Sequence, residues 1–145
     1  MDRVATCRCE KVRLEAVGRP ILTASCYCAS CQDAGHRLGR LLEPDGGTSV
    51  VLYRKDRVQC VSGRRHLEEH RLKPNSPTRR VVATCCNSAM FLDFTKGYWV
   101  SIYRNRLPTG APEDAPNHRG HSARFMLKLV ATWMAMGFRR PQLPI

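Results

Sequence analysis

Residues 26–31 read Cys26-Tyr27-Cys28-Ala29-Ser30-Cys31, three thiols within six positions. So compact a set can wrap one metal ion from a single loop, since thiolate is a preferred ligand of Zn2+ and short spacings let one turn present several sulfurs. It supplies three ligands. A structural zinc site is closed by four protein ligands, whereas a catalytic one keeps a position for water or substrate. Cys26, Cys28 and Cys31 therefore have the pattern of an open site and are the candidate catalytic residues. A fourth ligand could come from Cys60 or from His36. Cys60 sits in an alternating β segment, where a lone cysteine is more often a small buried hydrophobe, and His36 is better placed to line a pocket.

Outward from this loop lie Cys7-Arg8-Cys9 near the start and Cys85-Cys86 far downstream, so seven of the eight cysteines fall in three tight groups. Met1-Asp2-Arg3 leads directly into the first group with no apolar run resembling a signal peptide, which points to a cytoplasmic protein whose thiols stay reduced. Clustered thiols in that setting read as metal ligands rather than disulfides. Cys7 and Cys9 make half of a zinc site, and Cys85 with Cys86 can make the other half; if only one of the pair binds, it is Cys86, with a water completing a weaker site. Side chains alternate along a strand, so two adjacent cysteines can reach one ion only from a turn, and Asn87-Ser88 supplies turn-forming residues there. Metal closure of so long a loop stabilises a small β domain. Two Zn2+ ions are expected, one structural and one catalytic. His66 and His70 also have i, i+4 spacing, but Leu67-Glu68-Glu69 between them reads as a solvated helical face.

The surrounding chain is mainly β in pattern. Val12 to Ala16 alternates, Thr48 to Tyr53 is β-branched and apolar after the turn signal Pro44-Asp45-Gly46-Gly47, and Val58 to Val61 and Arg80 to Thr84 are further strands. Phe91 to Phe94 and Tyr98 to Tyr103 flank Thr95-Lys96-Gly97, predicting a hairpin with Gly97 at a positive φ. Residues 1–106 read as one zinc-binding β domain, 107–121 as a Pro/Gly-rich loop, and 122–138 as a helix packed on that domain. The helix has apolar residues at 125, 126, 129, 130, 133, 134 and 138, one wide face, with Ser122 as N-cap. That face serves a packing role first, with a homodimer contact or a site wall as other uses.

The 145 residues carry a formal charge of +12. Seven thiolates around two Zn2+ ions would lower it to roughly +9. The cations are scattered and do not alternate with aromatic residues, which argues against a dedicated nucleic-acid platform and for a general attraction of anionic partners such as acidic thiols. The most apolar stretch, Phe125 to Phe138, is too short to span a bilayer and contains Lys128.

The ordered set CxC, CxCxxC and a late cysteine group resembles the glutathione-dependent formaldehyde-activating enzyme (GFA) family. The matching residues are Cys7-Arg8-Cys9-Glu10-Lys11-Val12-Arg13, then Cys26 to Gln32, then Asp56-Arg57 and the segment Phe91 to Tyr103 with Gly97-Tyr98-Trp99. The resemblance implies a β-tent zinc fold in which Cys7, Cys9 and the late group hold a structural zinc and Cys26, Cys28 and Cys31 the catalytic one. It implies a carbon–sulfur lyase acting on a thiol–aldehyde adduct such as S-hydroxymethylglutathione, with glutathione as the thiol partner. The family's third group is usually CxxCG. Alignment on Cys86 puts Ala83 at its first cysteine and Asn87 at its glycine, so either Cys85 supplies the missing ligand or the structural site has changed. The family's histidine between the first two loop cysteines is here Tyr27. The alternative function is a non-catalytic zinc module that binds protein or nucleic acid. A methionine sulfoxide reductase, similar in fold, needs a late redox cysteine, and no cysteine follows Cys86.

Overall fold

The run Thr48-Ser49-Val50-Val51-Leu52-Tyr53-Arg54 forms one strand whose side chains divide between two cores. Val51 and Tyr53 point into one cluster, Val50 and Leu52 into the other, so the strand is apolar on both faces and its sequence is a continuous rather than alternating apolar run. This placement follows from the two-residue period of a β-strand.

A computed structural model describes residues 3–26, 48–71, 73–107, 117–119, 123–138 and 141. In chain order the elements are β1 (Arg3–Thr6), β2 (Arg13–Ala16), β3 (Leu22–Cys26), β4 (Thr48–Arg54), β5 (Val58–Ser62), β6 (Leu67–His70), β7 (Thr78–Ala83), β8 (Ser88–Phe94), β9 (Trp99–Tyr103), β10 (Asn117–Arg119) and helix α1 (Ala123–Ala135). Short 3-10 turns cover Lys55–Arg57, Arg64–His66 and Arg104–Arg106. Two sheets form, one ordered β1-β2-β5 and one ordered β10-β3-β4-β9-β8-β7-β6. All pairings are antiparallel except β10 with β3, which is parallel.

The first core lies between the sheets. It joins Ala5, Cys7, Val12, Leu14, Ala16 and Val58 of the small sheet side to Val51, Tyr53, Val81, Ala83, Met90, Phe91, Val100 and Ile102 of the large sheet. The second core covers the large sheet's other face, where Leu22, Ala24, Val50, Leu52, Ala89 and Tyr103 meet Leu129 and Met136 from α1 and its C-terminal turn. The fold is thus mainly β in two sheets with a helix as a third layer. In β8 the register runs Val81↔Phe91 then Val82↔Ala89, leaving Met90 as an extra residue. That bulge places Met90 and Phe91 together in the inter-sheet core. A buried ionic cluster ties the β4–β5 connection to β8: Lys55 Nζ lies 2.9 Å from Asp93 and donates to the Phe94 carbonyl at 3.0 Å, while Arg79 Nε donates to Asp93 at 2.7 Å.

Several local expectations are corrected. Leu67-Glu68-Glu69-His70 is strand β6, paired with β7 through Leu67↔Ala83 to His70↔Arg80, so backbone pairing at the sheet edge outweighs the helical reading of its charges. The β8–β9 hairpin forms, but the positive-φ glycines described are Gly18, Gly63 and Gly137, not Gly97. Gly97 is needed for close approach instead. A Cβ there would sit 2.8 Å from the Trp99 ring and 3.0 Å from Phe94, whose rings stack at 5.7 Å between centroids. Within the 107–121 segment, β10 adds a strand to the large sheet's edge. Ser122, the expected N-cap, lies outside the described residues. The helix also divides its apolar surface: Leu129 and Met136 are buried, whereas Met126, Leu127, Val130, Met134 and Phe138 are exposed. Among the described residues no helix is long and apolar enough to cross a membrane.

Candidate metal centre

Cys7 follows β1 directly, and the chain then turns sharply through Arg8, Cys9 and Glu10. Glu10 adopts φ 63°, a left-handed conformation uncommon for a residue with a Cβ. The turn closes with Glu10 N–H donating to the Cys7 carbonyl at 3.0 Å and Cys7 N–H to the Val12 carbonyl at 3.2 Å. Val12 N–H points at Cys7 Sγ from 3.4 Å.

Cys85 and Cys86 occupy the turn between β7 and β8, which frees both side chains from strand alternation. Asn87, next in the turn, has φ 52°. Asparagine tolerates the left-handed region better than most residues, so Asn87 can hold a turn of the kind glycine favours. Arg8 latches the two turns across the chain: its backbone N–H donates to Ser88 Oγ at 3.1 Å and its guanidinium to the Cys86 carbonyl. Ser88 Oγ also lies 3.1 Å from Cys86 Sγ.

These elements bring Cys7, Cys9, Cys85 and Cys86 together, with all four sulfurs within 4.8 Å of one another. Individual separations are 3.6 Å for Cys7–Cys9, 3.7 Å for Cys7–Cys85, 3.3 Å for Cys9–Cys85 and 3.9 Å for Cys85–Cys86. Tetrahedral ligation at a Zn–S length of about 2.3 Å requires sulfur–sulfur edges of about 3.8 Å. The donor set and its spacing fit a four-thiolate ion. Ala83 is buried at the end of β7 in the inter-sheet core. Cys85 stands with the other three sulfurs, within reach of an ion that they would hold.

The protonation of such a cluster is collective. Burial, then hydrogen bonds shared with the Cys9, Cys7 and Cys86 sulfurs, push Cys85 up to about 12. Burial opposes ionisation of Cys86 as well, but hydrogen bonds from Ser88, the Cys9 backbone, Cys7 and Cys9 outweigh it and take Cys86 down to about 6. One thiolate in the group thus raises the cost of the next, and a divalent ion that binds all four displaces the remaining protons. Arg106 is held near Cys86 and Cys7 beside Arg8, so positive charge borders the sulfurs.

Of the other candidates, Cys60 donates to the Ser62 carbonyl at 3.2 Å and packs on the inter-sheet core, and burial pushes its thiol up. It behaves as the small hydrophobe expected. The backbone of Cys26 ends β3, opposite Thr48 at the start of β4. Cys28, Cys31, His36, Arg37 and Arg40 lie outside the described residues. The Arg8 latch and the left-handed Asn87 were not anticipated. The only sequence signal for them was the spacing Cys86-Asn87-Ser88.

A family model described as "Glutathione-dependent formaldehyde-activating enzyme" matches residues 2–105. Among solved structures, the fold is similar to the crystal structure of a Rhodobacter sphaeroides protein, with 13% identity, a TM-score of 0.56, and coverage of 81% of this chain and 99% of that one. At such identity the likeness is one of fold alone. No curated protein matches the chain.

Proposed function

Because the chain belongs to the glutathione-dependent formaldehyde-activating enzyme family, we propose that it is a zinc-dependent carbon–sulfur lyase acting on a thiol–aldehyde adduct such as S-hydroxymethylglutathione. The observation that supports this most is how the sulfurs divide. Cys7, Cys9, Cys85 and Cys86 lie close enough together to hold one ion with four ligands. In this reading Cys26, Cys28 and Cys31 then make a second, three-ligand set with one position for substrate.

In this reading the four-cysteine centre is structural and the loop begun by Cys26 holds the catalytic ion. Bound there, zinc supplies Lewis acidity that favours the thiolate form of a substrate thiol and offsets negative charge developing on oxygen. In the direction of adduct formation a C–S bond forms between thiolate sulfur and aldehyde carbon, the carbonyl π pair moves to oxygen, and that oxygen takes up the proton released by the thiol. Cleavage reverses each change. The chain contributes the ligand loop anchored at the end of β3, and its basic surface concentrates acidic thiols. Arg37 and Arg40, close in sequence to the loop, are candidates to offset the charge of three thiolates.

Two single-site variants test the reading by metal analysis, circular dichroism and an adduct-cleavage assay. Cys28→Ser should keep its fold and one equivalent of zinc and lose turnover by at least about a hundredfold. A Cys28→Ser protein that retains full turnover, or a wild-type chain that holds only one zinc when fully loaded, overturns the lyase reading. The second of these results, given the net positive surface, would favour the non-catalytic interaction module.

A further inference from the structure

The turn after β5 approaches the N-terminal cysteine turn so closely that only glycine fits. Gly63 has φ +75°, and a Cβ on it would fall 2.2 Å from the Lys11 carbonyl oxygen. Ser62 Oγ donates to that same carbonyl at 3.2 Å, joining the two walls. Further along, His66 N–H donates to the Gly63 carbonyl at 2.9 Å, and Thr84 donates to the His66 carbonyl through its N–H at 2.8 Å and its Oγ1 at 3.0 Å. Lys11 follows the Cys7–Cys9 turn and Thr84 precedes Cys85, so the walls are fixed to the four-cysteine centre from both sides.

Between them lies an open cleft of about 470 Å3 lined by Lys11, Gly63, Arg64, Arg65 and His66. Four of these five residues are basic, and among the described residues no carboxylate lines the cleft. Arg65 Nε lies 3.4 Å from His66 Nε2, which sets the guanidinium beside the imidazole. Guanidinium forks match phosphate oxygens in pairs, and an ammonium adds a point charge. The volume falls within the range of small-ligand pockets and exceeds what one phosphate needs, leaving room for the body of a ligand. Along the large sheet, β4, β9, β8 and β7 lie between β3, whose last residue is Cys26, and β6, which follows the cleft-lining turn.

We propose that this cleft binds the phosphate end of a small phosphorylated ligand. The proposal is argued from these residues alone and does not depend on the lyase activity. A small ligand is favoured over a nucleic-acid strand because these cations line one cleft, while the remaining basic residues are scattered without interleaved aromatics.

Isothermal titration of the full zinc-loaded chain at about 150 mM salt, where exposed charges are screened beyond roughly 8 Å, tests this with pyrophosphate, inorganic phosphate and a single-stranded oligonucleotide. Pyrophosphate should bind tightest. Lys11→Ala and Arg65→Ala should each weaken it about tenfold, as expected for loss of one charge-assisted hydrogen bond. Lys96→Ala, which removes an equal charge from the exposed β8–β9 turn, should change it less than twofold. Equal weakening by Lys96→Ala would reduce the site to general electrostatics and overturn the proposal. Preferential binding of the oligonucleotide through Lys11 and Arg65 would overturn the small-ligand assignment, and unaltered pyrophosphate binding in both cleft variants would overturn the site.

Discussion

Asn87 is where a single residue decides whether the late cysteines can meet the early ones. Its φ of 52° turns the chain immediately after Cys86, and the next residue, Ser88, reaches back to the Arg8 backbone. Glycine would take this conformation without strain, whereas a β-branched side chain would clash with its own backbone. Asn87→Gly should therefore be neutral within about 0.5 kcal/mol, and Asn87→Val should cost about 1–3 kcal/mol and weaken zinc retention. Urea denaturation with a competitive zinc-chelator titration of both variants checks this. A neutral Asn87→Val would show that the turn is not set by residue 87. The departure from a Gly at this position was legible in the sequence, as was the grouping of Cys7, Cys9, Cys85 and Cys86. What was not legible was the choice between Cys85 as a ligand and an altered site. That choice depends on where the turn between β7 and β8 begins, and adjacent cysteines in a sequence do not reveal it.

The elements were legible in proportion to how much apolar pattern each carries. β4, β5, β7, β8 and β9 were readable from runs of β-branched and aromatic residues. β6 was not, because its Glu68 and Glu69 carry no burial signal and it is defined by pairing with β7. Gly97 looked like a turn glycine, yet its requirement comes from two rings that meet only in three dimensions. The bulge at Met90 likewise leaves no mark in the sequence. Helix α1 was visible by its period, though not the division of its apolar face, since both halves have the same composition. Its end is well specified: Gly137 has φ 70° and donates to the Met134 carbonyl at 2.9 Å, Phe138 N–H donates to the Trp133 carbonyl at 3.0 Å, and the Trp133 and Phe138 rings meet edge to face at 5.0 Å. The helix is joined to the sheet by Tyr98, whose hydroxyl donates to the Leu129 carbonyl at 2.5 Å. Burial pushes the Tyr98 phenol up to about 12 from an ordinary 10.0. The folded chain then keeps this proton at a pH where the unfolded chain releases it, so stability falls as pH rises from about 10 to about 12 and is unaffected below that window. Tyr98→Phe should lower stability near neutrality by about 1 kcal/mol and flatten the decline in this alkaline window. Denaturant midpoints measured from pH 8 to 12 for both proteins check it, and parallel curves would remove Tyr98 as the source.

At the scale of the whole molecule, the four cysteines connect layers as well as turns. Cys7 leaves β1 of the small sheet, and Cys85 and Cys86 stand between β7 and β8 of the large one, with Cys7 and Cys85 separated by 78 positions. The inter-sheet core already joins the layers by burial, but β1 and β2 are each four residues long and bury little on their own. A metal held by all four sulfurs would close the chain across this gap. By chain entropy alone, a cross-link of that span should contribute about 4–5 kcal/mol. That is a large share of the about 5–15 kcal/mol typical of a domain. Removal of zinc should therefore do more than empty a site. Stripping the chain with a strong chelator should lower the urea midpoint by an amount equivalent to several kcal/mol, and Cys85→Ser should reproduce most of that loss while the chelator adds little further to it. If the second ion sits on the Cys26 loop, Cys28→Ser should behave in the opposite way, retaining the midpoint while losing metal. Equal chelator sensitivity of Cys85→Ser and wild type would mean that the stabilising ion lies elsewhere. An unchanged wild-type midpoint after complete metal removal would mean that the two sheets are held by their core alone.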